Sequence, residues 1–460
     1  MAERPARSQR ATIDRVVVLA ALCGFVGCDG VLRRGGVTEG GAPDAAVSGA
    51  PARTPDGGAV VEGGRSNDGV PVSEAGSVSD GGPARDAQPA GDARRAGDAR
   101  RAADRGLKDT GLSRDGKAPG LDAQRRDAGT IPPTSLNWYP GYYVLAATRE
   151  PKGKQKILDD PLVAPFHGVQ FRYDWAESEL SPGNYSAGFA ALDDDLARVT
   201  AKGKKLMVML MYKKFDGSSA VPADLRTGPG AHCDGSVCGE MIIGSTRYAL
   251  LWNAAVEARL KAWVSAMASH LTKSPYLSSV AGVIFNETSS TKDLGILTAA
   301  GFDPYRHLQA VQENLLAVTV AAPRLAAFIY FEGGFMSMDG NPVKAPERMG
   351  DWMLLHPRTG VGRSDMQPKN PDANHPCANP TYQGRVPCAP AVEVIDYARS
   401  VTDSLQQTFS FGLSPAPNGL YASFITFSYR DSTSAGDAFS FADVSKGIAS
   451  QPIVNSKPPW

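Results

Sequence analysis

Between Phe25 and Trp138 the sequence contains no Phe, Tyr or Trp. That interval is built largely from Ala, Gly, Asp, Arg, Pro and Ser, with a near repeat, GDARRAGDARRAADR, over Gly91 to Arg105. A segment with so little apolar surface cannot offset the entropy of being ordered, which excludes a packed domain there. The chain also lacks net charge, since 48 Lys and Arg balance 48 Asp and Glu. Asp interleaves the Arg-rich repeat, so no basic stripe forms and nucleic acid is excluded as an expected partner. A Gly-rich phosphate loop, an HExxH pair and a GxSxG turn are absent too. Kinase, zincin and lipase-type readings lose their support with them. Cysteine is scarce, at six residues in 460.

What is present starts with a targeting pattern. Arg4, Arg7, Arg10 and Arg15 precede a short apolar run, VVVLAALCGFV, from Val16 to Val26. The run is too short to span a bilayer comfortably and reads as a signal peptide. It ends in Phe25-Val26-Gly27-Cys28, which resembles the lipobox of bacterial lipoproteins. That resemblance implies lipidation of Cys28 and an exported, membrane-anchored protein, periplasmic or at the cell surface. The alternative is an ordinary secretory signal with an incidental Cys. Residues 1–28 are then the signal, 29–131 a disordered linker holding the rest off the membrane, and 132–460 one large domain.

Four of the cysteines fall as two close pairs, Cys233/Cys238 and Cys377/Cys388. In an oxidising compartment these are expected to form two local disulfides that pin loops. His232 and His375 beside the pairs leave zinc as a rival, but the CxxC spacing of structural zinc sites is missing. Neither a metal nor a cofactor is expected.

Within 132–460, short apolar runs alternate with helical patterns. Strands are expected at Tyr142–Ala147, Gly168–Tyr173, Lys205–Met211, Val280–Phe285, Leu325–Phe331, Thr359–Gly362, Arg385–Val392 and Leu420–Phe427. Helices are expected at Ala187–Thr200, Thr246–Leu271, Pro304–Val320 and Ala438–Ala449. Continuously apolar strands suit a parallel sheet covered on both sides. Eight of them predict a (β/α)8 barrel, with a doubly wound α/β fold as the alternative. The sixth strand and its helix carry the weakest pattern.

In such barrels functional residues sit at the C-terminal ends of the strands. Those ends read Arg172-Tyr173-Asp174-Trp175, Tyr212-Lys213, Asn286-Glu287, Glu332, Arg363 with Asp365, Glu393 with Asp396, and Tyr429-Arg430-Asp431. A carboxylate closing a buried strand is costly unless it is paired or used. Carboxylates with arginines and aromatics suit glycosidic chemistry. Tyr173 and Trp175 are either core packing or a sugar platform.

The stretch GVQFRYDWAESELSPGNYSAGFAALDDDLARVTAKGKKLMVML resembles the second-to-third-strand region of the (β/α)8 clan of retaining glycoside hydrolases. Trp175, Glu179, Pro182, Gly183, Tyr185, Gly203 and Lys204 carry the likeness in order. Asn286-Glu287 matches the clan's fourth-strand ending and Glu393 its seventh. The resemblance implies Glu287 as general acid/base, Glu393 as nucleophile and no cofactor, acting on an oligo- or polysaccharide. Glu332, in FIYFEGGFM, is the alternative nucleophile. Asn286, Arg172, Trp175, Tyr173, Asp365 and Tyr429 are the expected substrate contacts. Glu287 is expected to hold the proton, raised by its apolar strand, while Arg172 keeps Glu393 ionised. The competing function is a non-catalytic glycan-binding lipoprotein on the same barrel; a third possibility is a scaffold for protein contacts.

Overall fold

The computed structural model describes residues 136–227, 231–234, 237–289, 293–332, 341, 344–368, 373–393, 404–431, 437–453 and 455–459. The expected signal and linker, Cys28 and Asp396 lie outside the described residues.

Eight parallel strands alternate with helices: β1 (Gly141–Leu145), β2 (Gly168–Asp174), β3 (Lys205–Met211), β4 (Val280–Phe285), β5 (Ala327–Tyr330), β6 (Thr359–Gly362), β7 (Ala391–Val392) and β8 (Phe424–Ser428). Neighbours in sequence are neighbours in the sheet, and β8 pairs with β1 over five residues. The seam between β6 and β7 closes by a parallel bridge, Val361 to Cys388. Around it Val361 N donates to Pro387 O at 2.9 Å, Ala389 N to Val361 O at 2.9 Å and Ala391 N to Arg363 O at 2.7 Å. The ring is closed, so the fold is a (β/α)8 barrel and not a doubly wound sheet.

Among the described residues, the helices of eight or more residues are α1 (Pro151–Asp159), α2 (Ser186–Ala201), α3 (Ala254–Lys273), α4 (Pro304–Ala321), α5 (Lys344–Leu354), α6 (Leu405–Leu413) and α7 (Phe441–Ile448). Two starts show their local cause. The Asn253 side chain accepts from Ala255 N and Val256 N and so begins α3. Asp303 caps α4, with Pro304 at the first helical position. The expected helix start at Thr246 is therefore corrected. Thr246–Ala249 is a strand, paired antiparallel with Glu240–Ile243 and Lys213–Lys214 in a small sheet that follows β3. Among the described residues no helix lies between β6 and β7. A loop clasped by the Cys377–Cys388 disulfide stands there instead. His375 accepts from Cys377 N through Nδ1, and its Nε2 lies 3.1 Å from Phe331 O and 3.2 Å from Gly362 O, across the ends of β5 and β6. The second disulfide, Cys233–Cys238, closes a short hairpin.

Two apolar layers result from the two-residue period of the strands. Val169, Phe171 and Tyr173 of β2 point outward and join Leu196, Trp263 and Val264 beneath the helices. Inside, Tyr143, Phe328 and Phe424 fill the floor, with Phe424 5.8 Å from the Tyr143 ring and 5.2 Å from the Phe328 ring. Trp138 meets Phe424 edge-on from below at 5.0 Å, and its Nε1 donates to Ser456 O at 3.0 Å. Gly360 and Gly362 of β6 leave the room that two of the inner rings occupy. A Cβ on Gly360 would sit 2.6 Å from Phe328, and one on Gly362 2.5 Å from Tyr330. Above the floor, fully buried Gln170 accepts from Tyr330 Oη at 3.1 Å and Thr426 Oγ1 at 3.3 Å. The charged layer of the mouth begins immediately above it.

Candidate active site

β4 is buried along its whole length and delivers Asn286 and Glu287 to the mouth. Asn286 is committed to the strand ends. Its Oδ1 accepts from Tyr212 N at 2.9 Å, and its Nδ2 donates to Glu287 O at 3.2 Å. This brings the end of β3 beside the end of β4 and sets Lys213 against Glu287. The Lys213 ammonium pairs with Glu287 Oε1, and it donates to Ser289 O at 2.9 Å and Ser289 Oγ at 3.0 Å. Phe215 and Tyr248 present their rings to the same ammonium, at 4.6 and 4.8 Å. Burial lowers the proton affinity of Lys213, whose side chain is only 3% exposed, and it is opposed by the Glu287, Glu332 and Asp365 charges and by three acceptors that take all three ammonium protons.

The electrostatics differ from the sequence expectation. Burial pulls the Glu287 carboxyl up, but the Lys213 charge and hydrogen bonds from Lys213, Ser289 and Ser364 outweigh it. Glu287 is therefore held below the ordinary glutamate range. Glu393, at the end of β7, moves the other way. Burial pushes it up to about 7, against the pull of Arg172, with Glu287 and Asp365 adding repulsion. Arg172 does act on Glu393 as expected, but desolvation wins. Glu332, one residue beyond Phe331 at the end of β5, is likewise pushed up to about 7 by burial, opposed by Arg363 and by Ser364, whose Oγ donates to Oε1 at 3.1 Å. Thr288 ties this end to β4: its Oγ1 accepts from Glu332 N at 2.9 Å.

Glu287, Glu332, Glu393, Asp365, Arg172 and Lys213 thus share one electrostatic field at the mouth. Three of the expected contacts do not. Tyr173 turns outward, and its Oη donates to Asp195 Oδ2 at 2.9 Å beneath α2. Trp175 is fully buried, with its ring 6.2 Å from Trp263. Tyr429 donates to Asp160 Oδ2 at 2.7 Å and packs edge-on to Phe441 of α7. For Tyr173 and Trp175 the structure selects core packing.

The Trp-Glu-Pro-Gly pattern has a structural use. Glu179, 1% exposed, accepts from Trp175 Nε1 at 2.7 Å, Gly183 N at 2.7 Å and Arg259 Nε at 2.5 Å. Gly183 makes the turn with φ of 76°, which favours glycine. The residues that sequence reasoning left without a role are Lys213, Ser289 and Ser364. Lys213 carried a signal of the same kind as Glu287, a charge closing a buried strand.

No protein-family model matches the chain, and no curated protein matches it. Similar solved structures include an exo-β-1,4-mannosidase from Opitutaceae bacterium strain TAV5, at 14% identity and a TM-score of 0.42, covering 63% of this chain. The match spans about half, 52%, of the mannosidase. A GH5_18 protein from Bifidobacterium longum subsp. infantis is 10% identical with a TM-score of 0.44, over 67% of this chain and 79% of that one. A β-1,4-D-mannanase from Cryptopygus antarcticus is 12% identical with a TM-score of 0.40, over 69% and 92%. The fold rests on the closed ring of strands and the chemistry has to be argued from the side chains at the mouth.

Proposed function

We propose that the mouth hydrolyses a β-linked glycan with retention, using Glu287 as general acid/base and Glu393 as nucleophile. The observation that supports this is that Glu287 from the end of β4 and Glu393 from the end of β7 reach the same buried mouth, near enough for the Glu287 charge to act on Glu393. Retaining hydrolysis needs one carboxyl charged and one protonated, about 5–5.5 Å apart. The Glu393 carboxylate attacks the anomeric carbon while Glu287 protonates the departing glycosidic oxygen. Glu287 then takes a proton from water, and that water displaces Glu393 from the glycosyl ester. In the free site Lys213 lowers Glu287 and burial raises Glu393, so the productive arrangement requires the proton to pass to Glu287 when substrate enters. Glu332 is the alternative nucleophile.

The test is incubation with β-mannans, xylans and glucans, reading the product anomer by proton NMR. Release of the β-anomer first is the expected result; release of the α-anomer overturns retention. The Lys213–Glu287 ion pair favours a second reading, a glycan-binding barrel without turnover. Binding of a polysaccharide that is never cleaved would select it.

We propose further that the chain is exported and anchored through Cys28. The two disulfides support an oxidising compartment. Mass spectrometry of membrane-extracted protein should find an acylated Cys28 at the N-terminus; a mature form starting elsewhere excludes the anchor.

A further inference from the structure

Most charged residues buried near the barrel are tied to structural neighbours. Lys154 pairs with Asp195 beneath α2, and Lys214 pairs with Asp174 beside Arg149. Lys213 is different, because its partner is a carboxylate of the mouth itself. We propose that Lys213 is a positioning residue of this site, fixing the Glu287 carboxylate between the ends of β3 and β4 while the mouth is free of substrate. The inference rests on the hydrolase reading for its meaning in turnover, but not for its test.

The geometry is specific. Lys213 reaches Glu287 from the adjacent strand end, and its other two protons are taken by Ser289. The rings of Phe215 and Tyr248 face the ammonium, so it is caged rather than solvated. Other elements contribute groups that act on this pair: β5 Glu332, the segment after β6 Ser364 and Asp365, and β7 Glu393, while Arg172 of β2 acts on Glu393. His307 of α4 lines the same cavity as Lys213, Glu287 and Thr288. Burial holds that imidazole down to about 4, so it stays neutral near pH 7 and adds no charge. Among the described residues Lys213 is the cation seen in direct contact with Glu287, whereas Arg172 acts on Glu393 and Arg363 on Glu332.

Removing the ammonium should let Glu287 take up a proton at higher pH. The protein is labelled with carboxyl-13C glutamate, and the Glu287 resonance is assigned by its loss in Glu287→Gln. In the native protein it should titrate below the ordinary glutamate range. In Lys213→Met and Lys213→Gln, two neutral replacements of different polarity, its midpoint should rise by about 1–3 pH units, as expected for loss of an adjacent opposite charge. Lys213→Arg should keep it low. A midpoint unchanged in either folded neutral variant, or raised equally in Lys213→Arg, overturns the proposal. The titration reads protons and not turnover, so a native protein inactive on every glycan refutes the hydrolase reading without touching this result.

Discussion

A charge that ends a buried strand was the most legible residue-scale signal, and it located Glu287 without any geometry. The same logic applied to Lys213, whose partner was invisible because it stands 74 positions away in sequence. Parity was the signal left unused. Val169, Phe171 and Tyr173 alternate with Gln170 and Arg172, so an inward Arg172 requires an outward Tyr173. Proton affinities were not legible, since they depend on which charges converge from different strands. At this scale the two carboxyls should separate by substrate. Glu287→Gln should slow hydrolysis of natural linkages by roughly 100-fold or more, the usual worth of general acid catalysis. It should barely slow the first step for activated aryl glycosides, whose leaving groups need no proton. Glu393→Gln should abolish turnover of both. The kcat/KM values on a polysaccharide and a dinitrophenyl glycoside, which report the first step alone, check this, and equal losses on the two for Glu287→Gln would remove its role as acid.

Elements were legible where burial on both faces made the strand a continuous apolar run. The bounds of β4 and β6 match the expected Val280–Phe285 and Thr359–Gly362. β7 shrank to Ala391–Val392, because Pro387 and Pro390 carry no amide proton for the ladder. The strand at Thr246–Ala249 was hidden in an expected helix. Its signal was Gly244-Ser245 between two strand-forming runs, with Gly244 at φ of 58°. β6 is weak in sequence for a physical reason: its inward positions are glycines that make room for rings on β5. A methyl group on Gly362 would meet both Tyr330 and Ala389 O at 2.5 Å. Gly362→Ala should therefore destabilise by about 1–3 kcal/mol, the usual cost of overpacking. Gly362→Ala with Tyr330→Leu should recover part of it. Urea denaturation of the single and double variants measures the coupling, and additive losses would mean that the methyl does not press on Tyr330.

For the molecule as a whole, the mouth exchanges stability for chemistry. Glu393 and Glu332 both titrate near 7 when folded, well above an unfolded glutamate, so between about pH 4.3 and 7 the native state binds more protons than the unfolded one. Their contribution is most favourable at the acid end and is lost as the pH rises through 7. His307 and His167, both lowered by burial, work in the opposite sense over part of that range. The difference between a variant and the native protein removes their effect. Glu393→Gln should match native stability near pH 5 and exceed it at pH 8, by up to about 3 kcal/mol. Thermal melts across that range decide it, and a gap independent of pH would show that Glu393 ionises as easily folded as unfolded. The ring also has a consequence for the order of the chain. β8 lies against β1 over five residues, and Trp138 bonds to Ser456, so the described chain comes back to its own beginning. The sheet has no first strand in a physical sense. A short linker from the segment that follows Ser456 to the residues before Trp138, with new termini opened between Cys233 and Cys238, should give a circular permutant that keeps the barrel pairings.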